Sequence, residues 1–396
     1  MAFGALGTPI ITLAKVTGLD EFAISQMAGR QLPLFSLIVP AWMVATMTGW
    51  RGLLAVWPAV LVCGGSFAAV QFAMANYVGA ALVDVVAGIV SLVALAAFLR
   101  WWQPQDCWQH GAGQPRAPVA NDSARTIAWA WMPWVFLSVA VFCWGLPAVK
   151  ATLEGRPWPN ANPPAQSGLP LLPKTIVAPE LSVPRLDGRI AKVPPATREP
   201  LEIERAVYRF NWLSAAGTAI LMAAVIAVPW LGLSWRQAVV IWSDNLRRLS
   251  LSLVTIALML ALAFVTRYSG TDVTLGLALT QSGWFYPFFA PLLGWLGVAL
   301  TGSDTSSNAM FGSLQRVTAE QLGLNPLLIC TANSTGGVMG KMIDAQSIVV
   351  SATATGMHRQ EGAILRRVFP HSLALAALMG LLVWLQSGPL SWMVPR

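Results

Sequence analysis

Long apolar runs recur along this chain, separated by short basic or proline-bearing breaks. A run of about 20 apolar residues is enough to cross a bilayer as a helix. Leu32–Met47, interrupted by Pro40, is the first. Leu53–Ala75 follows, uncharged, with Pro58 and Gln71 inside, then Ala80–Leu99 with Asp84 near its start. Ile127–Val149, Leu213–Leu233, Leu249–Thr266, Trp284–Leu300 and Val368–Leu385 complete the set. The pattern predicts an all-α polytopic membrane protein with about nine or ten transmembrane or re-entrant segments.

Two stretches break the pattern. Arg100–Arg125 reads as a polar loop. Gly155–Pro200 holds 11 of the chain's 27 prolines and few apolar residues. Such a segment cannot build a helix and has little to bury, so it is expected to be extended and extramembrane rather than a small accessory domain. The expected organisation is therefore residues 1–149 in the membrane, 150–209 outside it, and 210–396 in the membrane again. Trp235–Arg248 reads as a basic, Trp-bearing connector at the interface. Its Arg236, Arg247 and Arg248 place it on the cytoplasmic side, which puts the Pro-rich segment outside. On this threading Leu32–Met47 and Val368–Leu385 run in opposite directions.

Composition narrows the function class. The chain is 56% hydrophobic and 11% charged, against about 25% charged in soluble domains. The net charge of +8 is not concentrated in a basic patch interleaved with stacking aromatics, so nucleic acid is not an expected partner. The 19 Trp fit interfacial belts. Cys63, Cys107, Cys143 and Cys330, with His110, His358 and His371, match no metal or redox spacing. Neither a metal nor a cofactor is expected.

One polar island stands out at membrane depth, Thr301–Gln346. Non-helical backbone and ionisable groups are tolerated there mainly where protein encloses them. Gly302, Ser303, Thr305, Ser306, Ser307 and Asn308 form its first half; Asn333, Ser334, Thr335, Gly336, Gly337, Gly340 and Lys341 form its second. If Thr301–Ser306 is a re-entrant tip, the following helix aims free N–H groups at an anion. Asn333–Gly340 is expected as a second broken segment, with Lys341 as fixed cation. A small carboxylate with a neighbouring hydroxyl suits this inventory. Asp304 and Asp344 are candidate proton carriers, since a carboxyl drawn out of water holds its proton more readily. For Asp304 the bland alternative is a helix N-cap; for Lys341 it is snorkelling to the headgroups. An intramembrane hydrolase using Ser303 with Lys341 is a remote alternative that lacks a nucleophile elbow.

The two ends of the chain also resemble each other. Gly4-Ala5-Leu6-Gly7-Thr8-Pro9-Ile10 parallels Gly337-Val338-Met339-Gly340-Lys341-Met342-Ile343. Thr17-Gly18 parallels Thr355-Gly356, and Arg30-Gln31-Leu32-Pro33 parallels Arg367-Val368-Phe369-Pro370. Opposed repeats that meet at broken helices are a recurrent plan of secondary transporters. Gly4, Gly7 and Thr8 therefore join the candidate binding residues. The first copy lacks the hairpin that precedes the second, so the first repeat is expected to be incomplete.

Gly302-Ser303-Asp304-Thr305-Ser306-Ser307-Asn308-Ala309-Met310-Phe311-Gly312 and Ala332-Asn333-Ser334-Thr335-Gly336-Gly337-Val338-Met339-Gly340-Lys341-Met342-Ile343 resemble hallmarks of the L-lactate permease family. Phe288–Val298, Phe264–Gly270 and Met27–Pro33 extend the likeness over nearly the whole chain. The resemblance implies a proton-coupled carrier of L-lactate and glycolate in the bacterial inner membrane, not an enzyme. Its partners would be a 2-hydroxycarboxylate, protons and lipid. Two departures stand out. Family members resemble Lys-Met-Ile-Ser-Pro-Gln-Ser where this chain has Lys341-Met342-Ile343-Asp344-Ala345-Gln346-Ser347, so Asp344 sets an anion beside Lys341. Family members also carry several spans before the position of Met1. This leads to the expectation of a truncated or split carrier, completed by a second copy or by a partner chain.

Overall fold

The computed structural model describes residues 2–4, 7–104, 123–155, 173–194, 200–271, 274, 277–278, 281–357 and 360–395. The Arg100–Arg125 loop lies mostly outside these residues, as do Cys107, His110 and His358. The described chain is helical apart from four short strands. Among the described residues five helices are long and apolar enough to cross a membrane. The protein is therefore an all-α, multi-pass membrane protein. The chain divides into two compact units.

The first unit holds both ends of the chain. Its N-terminal helices are α1 (Thr8–Thr17), α2 (Glu21–Tyr77) and α3 (Val83–Trp101). Within α2 the backbone breaks at Gly49, with φ 73° and ψ −178°. The two arms then fold back on each other. Ser25 Oγ donates to the Ala75 carbonyl at 3.0 Å and Ser36 Oγ to Gln71 Oε1 at 2.7 Å. The close approach needs small residues: a Cβ on Gly29 would lie 2.4 Å from that of Ala75. The two predicted spans are thus the arms of one hairpin, turned two residues before Arg51. Pro33, Pro40 and Pro58 lie inside the arms without ending them, so the interruption expected at Pro40 does not occur. Neighbouring helices can satisfy the backbone groups that an intramembrane proline frees.

Among the described residues, the C-terminal part of the first unit includes α9 (Tyr286–Thr301), α10 (Asp304–Gln321), α11 (Pro326–Gly340), α12 (Ala345–Ala354) and α13 (Glu361–Gln386). One apolar core joins the two ends of the chain, with Phe3, Ile10, Leu13 and Met27 packed with Tyr286, Leu293, Ile329 and Met379. The repeat seen in the sequence has a counterpart in the element order. α1 and α12 are ten residues each. Each is followed by a left-handed glycine, Gly18 at φ 65° and Gly356 at φ 70°. A longer helix then contains Pro33 or Pro370.

The second unit contains α4 (Ala124–Gly145), α5 (Pro147–Leu153), α6 (Lys174–Val177), the four strands, α7 (Ala216–Trp230) and the start of α8 (Trp235–Ser269). Trp144 Nε1 donates to the Leu213 carbonyl at 2.9 Å, and Phe136 meets Trp230 edge-on. The Pro-rich segment contains more order than its composition suggested. β1 (Glu180–Ser182) pairs antiparallel with β4 (Val207–Arg209), and β2 (Ile190–Lys192) with β3 (Glu202–Glu204). Residues between the prolines also form the single turn α6. Glu180 lies 2.9 Å from Lys174 and 3.2 Å from Arg209. Lys174 foremost holds its carboxyl below the ordinary value of 4.5. The predicted connector Trp235–Arg248 is not a separate element, since α8 runs through it without a break.

Candidate functional site

The polar island folds into the centre of the first unit. α9 ends at Gly302, whose φ of 70° gives a left-handed C-cap. Ser303 then caps α10, its side chain accepting from the Ser306 N–H at 3.2 Å. The capping role weighed as the alternative for Asp304 therefore belongs to Ser303, and Asp304 is the first residue of the helix. Asp304, Ser307, Asn308, Phe311, Gly312 and Gln315 are all buried. Their spacing of three and four places them along one helix face, turned toward α11.

α11 is surrounded by α9, α10, α13 and α2, and every residue from Leu328 to Gly337 is buried. It can be enclosed this way because its neighbours approach at glycines. A Cβ on Gly336 would lie 2.1 Å from the Pro291 carbonyl oxygen, and one on Gly340 2.3 Å from that of Trp295. From the other side, a Cβ on Gly294 would lie 1.7 Å from the Asn333 oxygen. Small residues at such crossings are characteristic of membrane helices. The second broken segment is displaced from its expected place: Asn333–Gly340 is continuous helix, and the break follows at residues 341–344.

Inside this packing a chain of hydrogen bonds runs in one direction. Tyr286 OH donates to Gln315 Oε1 at 2.8 Å, and Gln315 Nε2 to Asn333 Oδ1 at 3.2 Å. Asn333 Nδ2 donates to Asn308 Oδ1 at 3.0 Å, and Asn308 Nδ2 to Ser334 Oγ at 3.2 Å. Ser334 Oγ donates to Asp304 Oδ2 at 2.6 Å. The chain ends on a carboxyl that is 6% exposed and whose Oδ1 has no hydrogen-bond partner among the described residues. Gly337 lets that oxygen approach the α11 backbone closely, because a Cβ there would lie 2.3 Å from it. Hydrogen bonds in series polarise one another, so the Asp304 carboxyl is coupled to residues on three helices.

A second buried chain links α11 to the arms around it. Thr335 Oγ1 donates to Gln31 Oε1 at 2.7 Å, and Gln31 Nε2 to Gln386 Oε1 at 2.9 Å. At the edge of the cluster Lys341 Nζ donates to the Gly302 carbonyl at 2.8 Å and lies 3.1 Å from Asp344 Oδ2. Lys341 thus does not snorkel; it ties one helix break to the other. Asp344 is the N-cap of α12, accepting from Ser347 N at 3.0 Å.

The predicted residues divide accordingly. Gly302, Ser303, Asp304, Ser307, Asn308, Asn333, Ser334, Thr335, Gly336, Gly337, Gly340, Lys341 and Asp344 come together. Thr305 and Ser306 are half-buried beside them. Of the N-terminal candidates, Gly4 and Gly7 turn the backbone at φ 59° and 71°, while Thr8 is exposed. That end reaches the cluster through the Pro9 carbonyl, which accepts from Asn308 Nδ2 at 3.1 Å. Tyr286, Gln315, Gln31 and Gln386 were not among the candidates. For Tyr286, Gln31 and Gln386 the available signal was a phenol or amide at the end of an apolar run, which must find a partner when buried; Gln315, in the polar α10, carried no such signal. The Ser303 hydroxyl is used as a cap and the Lys341 ammonium by Gly302 and Asp344. No contact among the described residues makes them a nucleophile and base.

A protein-family model described as L-lactate permease matches residues 1–388. The chain is 43% identical over 400 residues to an L-lactate permease of Salmonella typhimurium, covering 100% of this chain and 70% of that protein. It is 42% identical to the glycolate permease GlcA of Escherichia coli K12, covering 98% of this chain and 69% of that protein. An L-lactate permease of Bacillus subtilis is 40% identical, covering 100% and 70%. No solved structure matches. With the family's hallmark segments forming the buried centre of the fold and the match running nearly end to end, this chain belongs to the L-lactate permease family.

Proposed function

We propose that this protein carries L-lactate and related 2-hydroxymonocarboxylates such as glycolate across the bacterial inner membrane, coupled to protons. The observation that carries this reading is the 40–43% identity, over the whole chain, to relatives named as lactate and glycolate permeases. The buried polar cluster supports it, since an apolar core keeps such groups mainly for function. The substrate carboxylate would be held near Lys341 and Gly302, and its hydroxyl among Ser, Thr and Asn side chains of α10 and α11. Asp304 is the first candidate for the coupled proton, because it is buried and its Oδ1 has no hydrogen-bond partner among the described residues. Asp344 is the second, through its pairing with Lys341. The similar order of elements at the two ends supports an inverted-repeat plan with the site between the copies.

The test is uptake of labelled L-lactate and glycolate into vesicles holding the full chain, with and without a protonophore. Saturable uptake that collapses with the proton gradient is expected. Uptake indifferent to the gradient would remove the coupling, and no uptake of either acid would remove the substrate assignment.

A further inference from the structure

Lys341 and Asp344 stand where the two helix breaks of the island meet. Three features favour an anion at this corner. Lys341 supplies an ammonium. The N-terminus of the ten-residue α12 supplies free N–H groups and the positive end of its dipole. Gly302 lets oxygen-bearing side chains approach closely: a Cβ on it would lie 3.2 Å from Asp344 Oδ1 and 3.3 Å from Gln346 Oε1. An anion is already there. The Asp344 carboxylate, with a side chain 1% exposed, spans both positive features at once. Oδ1 takes the Ser347 N–H at 3.0 Å and Oδ2 faces Lys341 Nζ at 3.1 Å. The Lys341 side chain is 23% exposed, against 1% for Asp344, so the pair lies at the edge of the buried cluster.

We infer that Asp344 is a tethered competitor for the substrate. Its carboxylate holds the position on Lys341 that the carboxylate of a 2-hydroxymonocarboxylate takes on binding. This rests on the transport reading above. On exchange Asp344 keeps its cap on Ser347 and releases Lys341, which turns to the incoming carboxylate while still within reach of the Gly302 carbonyl. Asp344 then acts as a specificity-determining residue: it sets the affinity threshold that a carboxylate must exceed.

The test separates charge from capping. Asp344→Asn keeps a side-chain oxygen for Ser347 N, as Asn is among the preferred N-caps, and removes the charge. Binding of L-lactate to the purified full chain is expected to tighten on the order of tenfold, the scale of one charge-assisted hydrogen bond freed for the ligand. Asp344→Ser, a second uncharged cap, is expected to act in the same direction and decides the matter if the Asn variant fails to fold. In a Lys341→Ala background the same substitutions should change binding less than about twofold. Unchanged or weaker binding in a folded variant would overturn the inference, as would an equal effect without Lys341. Uptake by the unsubstituted chain is measured in parallel. Tighter binding without transport counts against the transport reading alone, and normal transport without tighter binding counts against the competitor alone.

Discussion

Gly294→Ala offers the sharpest check on the packing that encloses the site. The added Cβ would lie 1.7 Å from the Asn333 carbonyl oxygen, 2.6 Å from its carbon and 2.9 Å from its Cα. Comfortable carbon contacts need about 3.5 Å, so α9 and α11 must separate by roughly 1.5 to 2 Å. All three obstructing atoms are backbone, so no side chain can rotate aside. Overpacking of this kind costs about 1–3 kcal/mol, and a clash with three backbone atoms belongs at the upper end. The better helix propensity of Ala returns at most about 1 kcal/mol. A net loss of about 2 kcal/mol is expected, together with a shift of the Asn333 links to Asn308 and Gln315. Gly88→Ala on α3 is the matched control, because nothing lies within 4 Å of its Cβ position. Thermal unfolding of the full chain in detergent, followed by tryptophan fluorescence, reads both. A Gly294→Ala protein that melts with or above its parent would refute the reasoning, as would an equal loss in Gly88→Ala.

Asp304→Asn keeps the shape of the carboxyl and removes its titration; uptake driven by a proton gradient should fall at least tenfold, on the scale of a lost acid–base group, while substrate exchange at equilibrium persists. Preserved gradient-driven uptake would exclude Asp304 as the carrier. Gln31→Leu leaves the Thr335 hydroxyl and the Gln386 amide short of partners and should destabilise by about 1–3 kcal/mol. The double variant with Gln386→Leu should recover part of that loss in the same melting assay. Near Lys174 and Arg209, the Glu180 carboxyl is held below its ordinary 4.5. Its contribution is present above that pH and is lost as pH falls through the lowered value. The protection of the Leu181 and Tyr208 amides, taken relative to the intrinsic exchange rate at each pH, should therefore fall on acidification, and Glu180→Gln should flatten that dependence.

The hydrophobic runs determined the class of this protein unaided. Burying charge in hydrocarbon is so costly that polar residues at membrane depth announce themselves, and Thr301–Gln346 was legible for that reason. The short motifs shared by the two ends fall on a similar order of elements, because a left-handed glycine and a proline-bearing helix each leave a local mark. What the sequence could not fix was partnership. Whether Ser303 or Asp304 caps α10 turns on one residue of helix phase. Whether Asn333–Gly340 breaks or continues depends on the glycine contacts from α9 that let α11 be fully enclosed. Gln31 stood in the sequence only within a short motif just ahead of an apolar run, until packing brought Thr335 and Gln386 to it. Asn308 meets the Pro9 carbonyl across 299 positions of chain. Hydropathy is a property of each residue alone and survives being read in a line. A hydrogen bond belongs to two residues, and only the packed helices decide which two.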